Sequence, residues 1–227
     1  MIFFESGELK DYKARLLDRE ISIVNSERSN VWADNFLKPV IGSPQFKWKK
    51  IKLTIEYSGS VQEIENNKAI IHSKIDNHFI RFKDISGVRY FVLVDGSPSI
   101  SNNYHDMFQS LTYNLMGYAE KEVETAVNLT GSNSIVMADE MILESPATIE
   151  VSGNNSVVVE INDDKFEVGN IGTSIVTIGD GKVTKGNANH WDFVDFKRFP
   201  KVKAGENVVK ITPSTAKVKL KFRGLLR

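Results

Sequence analysis

After about Glu124 the sequence stops supporting any helix. Short runs of β-branched and aromatic residues follow one another: Ser134–Met137, Ala147–Val151, Ser156–Ile161, Phe166–Val168, Ser174–Ile178, Val208–Thr212 and Lys217–Arg223. Turn-formers separate them: Gly131-Ser132-Asn133, Gly153-Asn154-Asn155, Asn162-Asp163-Asp164, Gly179-Asp180-Gly181 and Gly186-Asn187. Glycine and asparagine tolerate the left-handed backbone of tight turns, while β-branched side chains suit a half-buried pleated surface. Seven short strands with such turns predict a β-sandwich. Its clearest element is Lys217-Val218-Lys219-Leu220-Lys221-Phe222-Arg223, which alternates strictly and sends Val218, Leu220 and Phe222 to one core. Lysines on the other face read as a guard on an edge strand or as a subunit contact.

The first half has a different texture. Ser60-Val61-Gln62-Glu63 fits a capping box, and Val61, Ile64, Ile71 and Ile75 then form an apolar stripe to about Asp76. A helix with one apolar stripe must pack on a sheet. Ile51, Leu53, Ile55 and Tyr57 alternate, but out of phase with Phe46-Lys47-Trp48; the slip at Lys49-Lys50 predicts a bulge or a change of strand partner. Phe79–Ile85 and Val88–Asp95 flank Ser86-Gly87 as a hairpin, and Leu111, Tyr113 and Leu115 mark a further strand. Ser26–Pro44 reads as a long loop or irregular arm, and Tyr118–Glu122 as a polar linker. The chain is thus mainly β with one helix, divided as 1–122 and 123–227, with the helix at about 60–76. The last strand belongs to the second domain or returns to the first.

Charge and composition exclude several functions. The 29 basic and 29 acidic side chains cancel, which argues against non-specific nucleic-acid binding. They are segregated, however: residues 124–196 hold three basic against twelve acidic side chains, and residues 197–227 hold ten against one. Either neighbouring strands neutralise each other, or oppositely charged faces of adjacent subunits meet. Without cysteine there is no disulfide, thiol nucleophile or thiolate metal site. No secretory signal and no apolar run near the ~18 residues of a membrane span is evident, so no membrane role is expected.

No catalytic constellation emerges. There is no Gly-x-Ser-x-Gly elbow, and Gly179-Asp180-Gly181-Lys182 is too short to cradle a phosphate and reads as a turn. His72, His78, His105 and His190 lack metal-ligand spacing. No catalytic residue, cofactor or metal is expected. One motif could bind a ligand: in His190-Trp191-Asp192-Phe193, Trp191 could stack on a sugar ring, or Trp191 and Phe193 could simply pack.

The segment Asp195–Ile211 carries Phe199-Pro200, an apolar residue, Gly205-x-Asn207 and a final apolar pair, Val209 and Ile211. Pro200 cannot donate to a ladder and closes a strand, Gly205 permits positive φ, and Asn207 can tie the turn. This pattern resembles the C-terminal signature of siphophage distal tail proteins, as does the order of elements along the chain. The resemblance implies an N-terminal β-barrel-like domain with one helix, forming a hexameric ring, and a galectin-like C-terminal sandwich. It implies a non-enzymatic subunit at the virion tail tip, made in the bacterial host cytoplasm. Its partners would be copies of itself, the tail tube protein, the tape-measure protein, and a tail-associated lysin, fibre or receptor-binding protein. DNA would pass through the channel without specific binding. The competing reading is a carbohydrate-binding adhesion module on a virion or cell surface, using Trp191.

Overall fold

The computed structural model describes residues 1–22, 26–27, 30–31, 40–41, 45–46, 48–103, 107–131, 133–140, 142–153 and 155–226. His105 lies outside them. The chain divides into two compact units, Met1–Glu120 and Lys121–Arg227.

The first unit is built on a sheet of β1 (Ile2–Phe3), β2 (Ala14–Ile21), β3 (Lys49–Ser58), β4 (His78–Phe82), β5 (Val88–Val94), β6 (Ser99–Asn103) and β7 (Phe108–Lys121). Its strand order is β1-β4-β5-β7-β3-β2, with β6 also on β7, and it is nearly closed like a barrel. Strict alternation buries Ile51, Leu53, Ile55 and Tyr57 on one face of β3. Among the described residues the single α-helix, α1, spans Val61–Ile75, as the sequence predicts. Ser60 caps it: its hydroxyl accepts from the Glu63 amide at 3.3 Å, and Glu63 accepts from the Ser60 amide at 2.9 Å. Ile64, Ile71 and Ile75 are buried where α1 packs on β3, β4 and β5. Val61 does not join this stripe; it lies at the first turn and is 60% exposed.

Three other expectations change. Between β3 and β7 the register runs unbroken from Lys49 opposite Gly117 to Ser58 opposite Phe108, so there is no bulge at Lys49-Lys50. The alternative holds instead: Gln45–Phe46 pairs with Ser26–Glu27, while β3 pairs with β7 and β2. Ser26–Pro44 is not simply loop, because among the described residues Asn30–Val31 pairs antiparallel with Val40–Ile41 and Ser26–Glu27 with Gln45–Phe46. Tyr118–Lys121 is strand rather than irregular linker, although the two units divide within it. β7 continues to Lys121 because Tyr118 stacks on Phe91 at 5.3 Å and meets Phe79 edge-on, while Glu120 accepts from Arg89 at 2.7 Å. Aromatic packing and a half-buried ion pair hold in a ladder what local polarity reads as irregular.

The second unit contains β8 (Thr125–Leu129), β9 (Asn133–Ala138), β10 (Ser145–Ser152), β11 (Val157–Ile161), β12 (Asp164–Val168), β13 (Val176–Gly179), β14 (Lys182–Lys185), β15 (Ala188–Asn189), β16 (Val194–Phe196), β17 (Lys201–Val202), β18 (Gly205–Thr212) and β19 (Lys217–Phe222). One sheet orders β8-β19-β10-β13-β14-β15 with β17 added to β10; the other orders β9-β18-β11-β12-β16. Their inner faces share one apolar core, in which Ile149, Val151 and Leu220 of the first sheet join Val159, Phe166 and Ile211 of the second. This is the expected sandwich. Asp180 and Gly181, both at positive φ, make the tight turn between β13 and β14, as Gly179–Lys182 predicts.

Strand β19 buries Val218, Leu220 and Phe222 as expected, and both its neighbours lie in the second unit. It is not an edge. Between β8 and β10 its lysines do not guard an open ladder; Lys221 pairs with Glu150 on β10. The segregated charges meet in the same way: Arg198 with Asp164 at 2.6 Å, Lys201 with Glu144 at 3.1 Å and Lys210 with Glu160 at 3.8 Å. Charges far apart in sequence neutralise each other across neighbouring elements. Among the described residues no helix is long and apolar enough to cross a membrane.

Candidate functional site

The signature segment carries the chain from one sheet to the other. Strand β16 pairs with β12 in the five-stranded sheet, and β17 pairs with β10 in the seven-stranded one. Pro200 lies at this crossover, buried, with its carbonyl accepting from the Ala147 amide at 2.9 Å. It opens β17 rather than closing β16, which ends at Phe196. That position suits a residue with no N–H to offer a ladder.

Asn207 is fully buried and ties the turn from β17 into β18. Its Oδ1 accepts from the Lys203 amide at 2.9 Å and from Asn162 Nδ2 at 3.0 Å. Its Nδ2 donates to the Lys203 carbonyl at 2.9 Å and the Gly205 carbonyl at 3.1 Å, with a longer contact of 3.4 Å to Val136. An amide alone among the standard side chains presents both an acceptor and two donors in one plane. Gly205, at φ +75°, supplies the left-handed backbone of this turn, and Val209 and Ile211 return to the core. The sequence gives no sign that Asn162, 45 positions away, completes the network. Its own signal was local: Asn162 adopts φ +54° in the Asn-Asp-Asp turn, which frees its side chain to reach across and accept from the Val208 amide at 3.0 Å.

Trp191 and Phe199 are brought together. His190-Trp191-Asp192-Phe193 forms a short 3-10 helix over Trp191–Phe193, entered from a buried His190 whose Nε2 lies 2.9 Å from the Gly169 carbonyl. The Trp191 ring stacks on Phe196 at 5.6 Å and 24°, and meets Phe199 edge-on at 5.8 Å. Phe196 and Phe199 are themselves edge-to-face at 5.1 Å. The packing reading of Trp191 is therefore met on one side of the ring, yet it stays 42% exposed. Beside this cluster the Arg198 guanidinium is held further in its charged form by its hydrogen bond to Asp164. His72 lies on α1 and His78 on β4, where His78 Nδ1 sits 2.7 Å from the Asp76 carbonyl. Among the described residues no three His, Asp or Glu side chains converge to hold a metal.

No family model and no curated protein matches the sequence. Solved structures do. The SPP1 Dit protein, a paradigm of hub adsorption apparatus in phages that infect Gram-positive bacteria, superposes with a TM-score of 0.77 at 11% identity, covering 100% of this chain and 98% of that one. The chain has the siphophage distal tail protein fold. The phage P2 baseplate in its activated conformation with calcium matches at a TM-score of 0.52 and 12% identity, over 96% of this chain and 94% of that one. A strontium form of the same baseplate gives 0.50 at 13% identity. The likeness in fold thus runs the whole length of the chain, as the element order implied, where only residues 171–212 carried the resemblance by motif.

Proposed function

We propose that this chain is a structural subunit of a phage tail tip: a distal tail protein whose first unit, residues 1–122, closes into a hexameric ring. Residues 123–227 form a galectin-like sandwich borne by that ring. The observation that carries this reading is the end-to-end likeness to the SPP1 Dit hub protein at a TM-score of 0.77. A likeness of both units in one order is expected where the two parts are kept together by a shared assembly task. In this role the work is geometric, not enzymatic. A closed ring is built from one heterologous contact repeated around an axis. It would join the tail tube to the host-adsorption apparatus and leave a central passage for DNA and the tape-measure protein. One ring face would meet the tail tube protein, the other a tail-associated lysin, fibre or receptor-binding protein. The subunit would be made in the host cytoplasm and end at the virion tail tip.

The test is assembly. Purified protein, alone or mixed with tail-tube protein, is measured by light scattering and imaged by negative-stain microscopy. Rings of six times the chain mass are expected. A strict monomer that forms no ring with tail-tube protein overturns the reading.

A further inference from the structure

The distal tail fold leaves the exposed aromatic ring of Phe193 without a task. Phe193 is 49% exposed, and one face of its ring is already covered by His190, stacked at 4.9 Å and 28°. A ring backed on one side and half exposed presents its other face to solvent. Phe193 lines a groove on the second unit whose other walls include Ser156, Glu167, Gly169, Asp192, Val194 and Asp195. The floor is fixed: His190 is buried and held on the Gly169 carbonyl, and the Gly169 amide donates to the Phe193 carbonyl at 2.7 Å.

The charged groups that line this groove are all carboxylates. Ionised carboxylates are acceptors only. Among the described residues, Glu167 pairs with Lys165 at 2.5 Å, whereas Asp192 and Asp195 are in no ion pair or side-chain hydrogen bond. Asp195 stands directly opposite Glu167 in the β12–β16 register, and like charges placed so are unfavourable within the sheet itself. Lys165, paired with Glu167, attracts Asp195 as well but forms no ion pair with it, and Phe193 lies outside the buried core. An open aromatic face beside acceptor-only groups suits a ligand with an apolar C–H face and donors at its edge. That is a pyranose ring.

We propose that the Phe193 groove binds a glycan that is neutral or carries amino groups, with the sugar ring on the free face of Phe193 and its hydroxyl or amino hydrogens directed to Asp192 and Asp195. Anionic sugars are excluded by the same carboxylates. The stacking residue is Phe193, not Trp191, which stands outside the groove walls and packs against Phe196 and Phe199. The site would add a recognition function to the structural role proposed above.

The test uses the full chain on an array of neutral, amino-bearing and anionic oligosaccharides, followed by titration of the best hit. Neutral or amino-bearing glycans are retained with Kd of about 1 mM or tighter. Phe193→Ala and Asp195→Asn each weaken binding at least about tenfold, equivalent to ~1.4 kcal/mol, with an unchanged melting temperature. Retention of anionic glycans only, no retention at all, or binding unaffected by Phe193→Ala overturns the proposal. So does a self-association that Phe193→Ala abolishes while no glycan is retained, which would assign the patch to a contact between copies.

Discussion

Arg19 grips Asp84 with both arms of its guanidinium, at 2.9 Å and 2.7 Å, while its Cζ lies 4.4 Å over the ring of Phe82. Arg19 is on β2, one end of the strand order of the first unit; Asp84 follows β4, which carries β1 at the other end. A forked, stacked side chain bridges the sheet where no ladder does. Lysine cannot reproduce the fork.

This contact predicts an acid-dependent component of stability. Arg19 is the first cause that holds the Asp84 carboxyl down at about 2. A depressed carboxylate stabilises the fold above its unfolded value, near 3.9, and loses that contribution as pH falls through the folded value. Wild type should therefore melt above Asp84→Asn at neutral pH, and the gap should close between about pH 4 and pH 2. A gap that persists unchanged at pH 2 would show that the contact is not ionic.

The buried hydroxyls of Tyr57 and Tyr113 lie 2.8 Å apart between β3 and β7. Burial pushes both phenols above their ordinary range. Either single change to phenylalanine leaves a buried hydroxyl without its partner and should cost about 1–3 kcal/mol, whereas the double change should cost less than the sum of the two. Urea melts of the four proteins measure this coupling, and strict additivity would mean that water already serves each hydroxyl.

Asn207→Ala should cost roughly 2–4 kcal/mol, because it strips partners from the Lys203 amide and from Asn162 inside the sandwich. Asn207→Asp keeps the acceptor but turns an oxygen toward the carbonyls of Lys203 and Gly205, and should be no better. Chemical denaturation of both variants decides; a fully stable aspartate variant would argue against the network.

Phe222→Ala should cost roughly 3–5 kcal/mol, since the side chain is buried at the end of β19 against the sandwich core. A loss below about 1 kcal/mol in a denaturant melt would mean that the cavity collapses at no cost.

What could be read from the sequence follows the range of the forces involved. The capping box at Ser60, the alternation of β19 and the Asp180-Gly181 turn are local, and each sits where its residues place it. The mainly β architecture with one helix was legible for the same reason. The continuation of β7 through Tyr118 was not, because it depends on Phe79 and Phe91 arriving from other strands. Nor was the interior position of β19: lysines at alternate positions look alike on an edge and between two strands, and only Glu150 opposite shows the difference. At the site, the turn at Gly205 and Asn207 was legible and the reach of Asn162 was not, while Trp191 and Phe193 both remain partly exposed.

The place of β19 between β8 and β10 also governs when the second unit can fold. Both β8 and β10 are made well before β19, so the seven-stranded sheet lacks the strand that joins them until Lys217–Phe222 has been made. A polypeptide halted short of Lys217 leaves Ile149 and Val151 without their cross-strand neighbours Leu220 and Val218, and apolar surface exposed in this way is prone to aggregation. Completion of the second core thus waits on synthesis through Phe222.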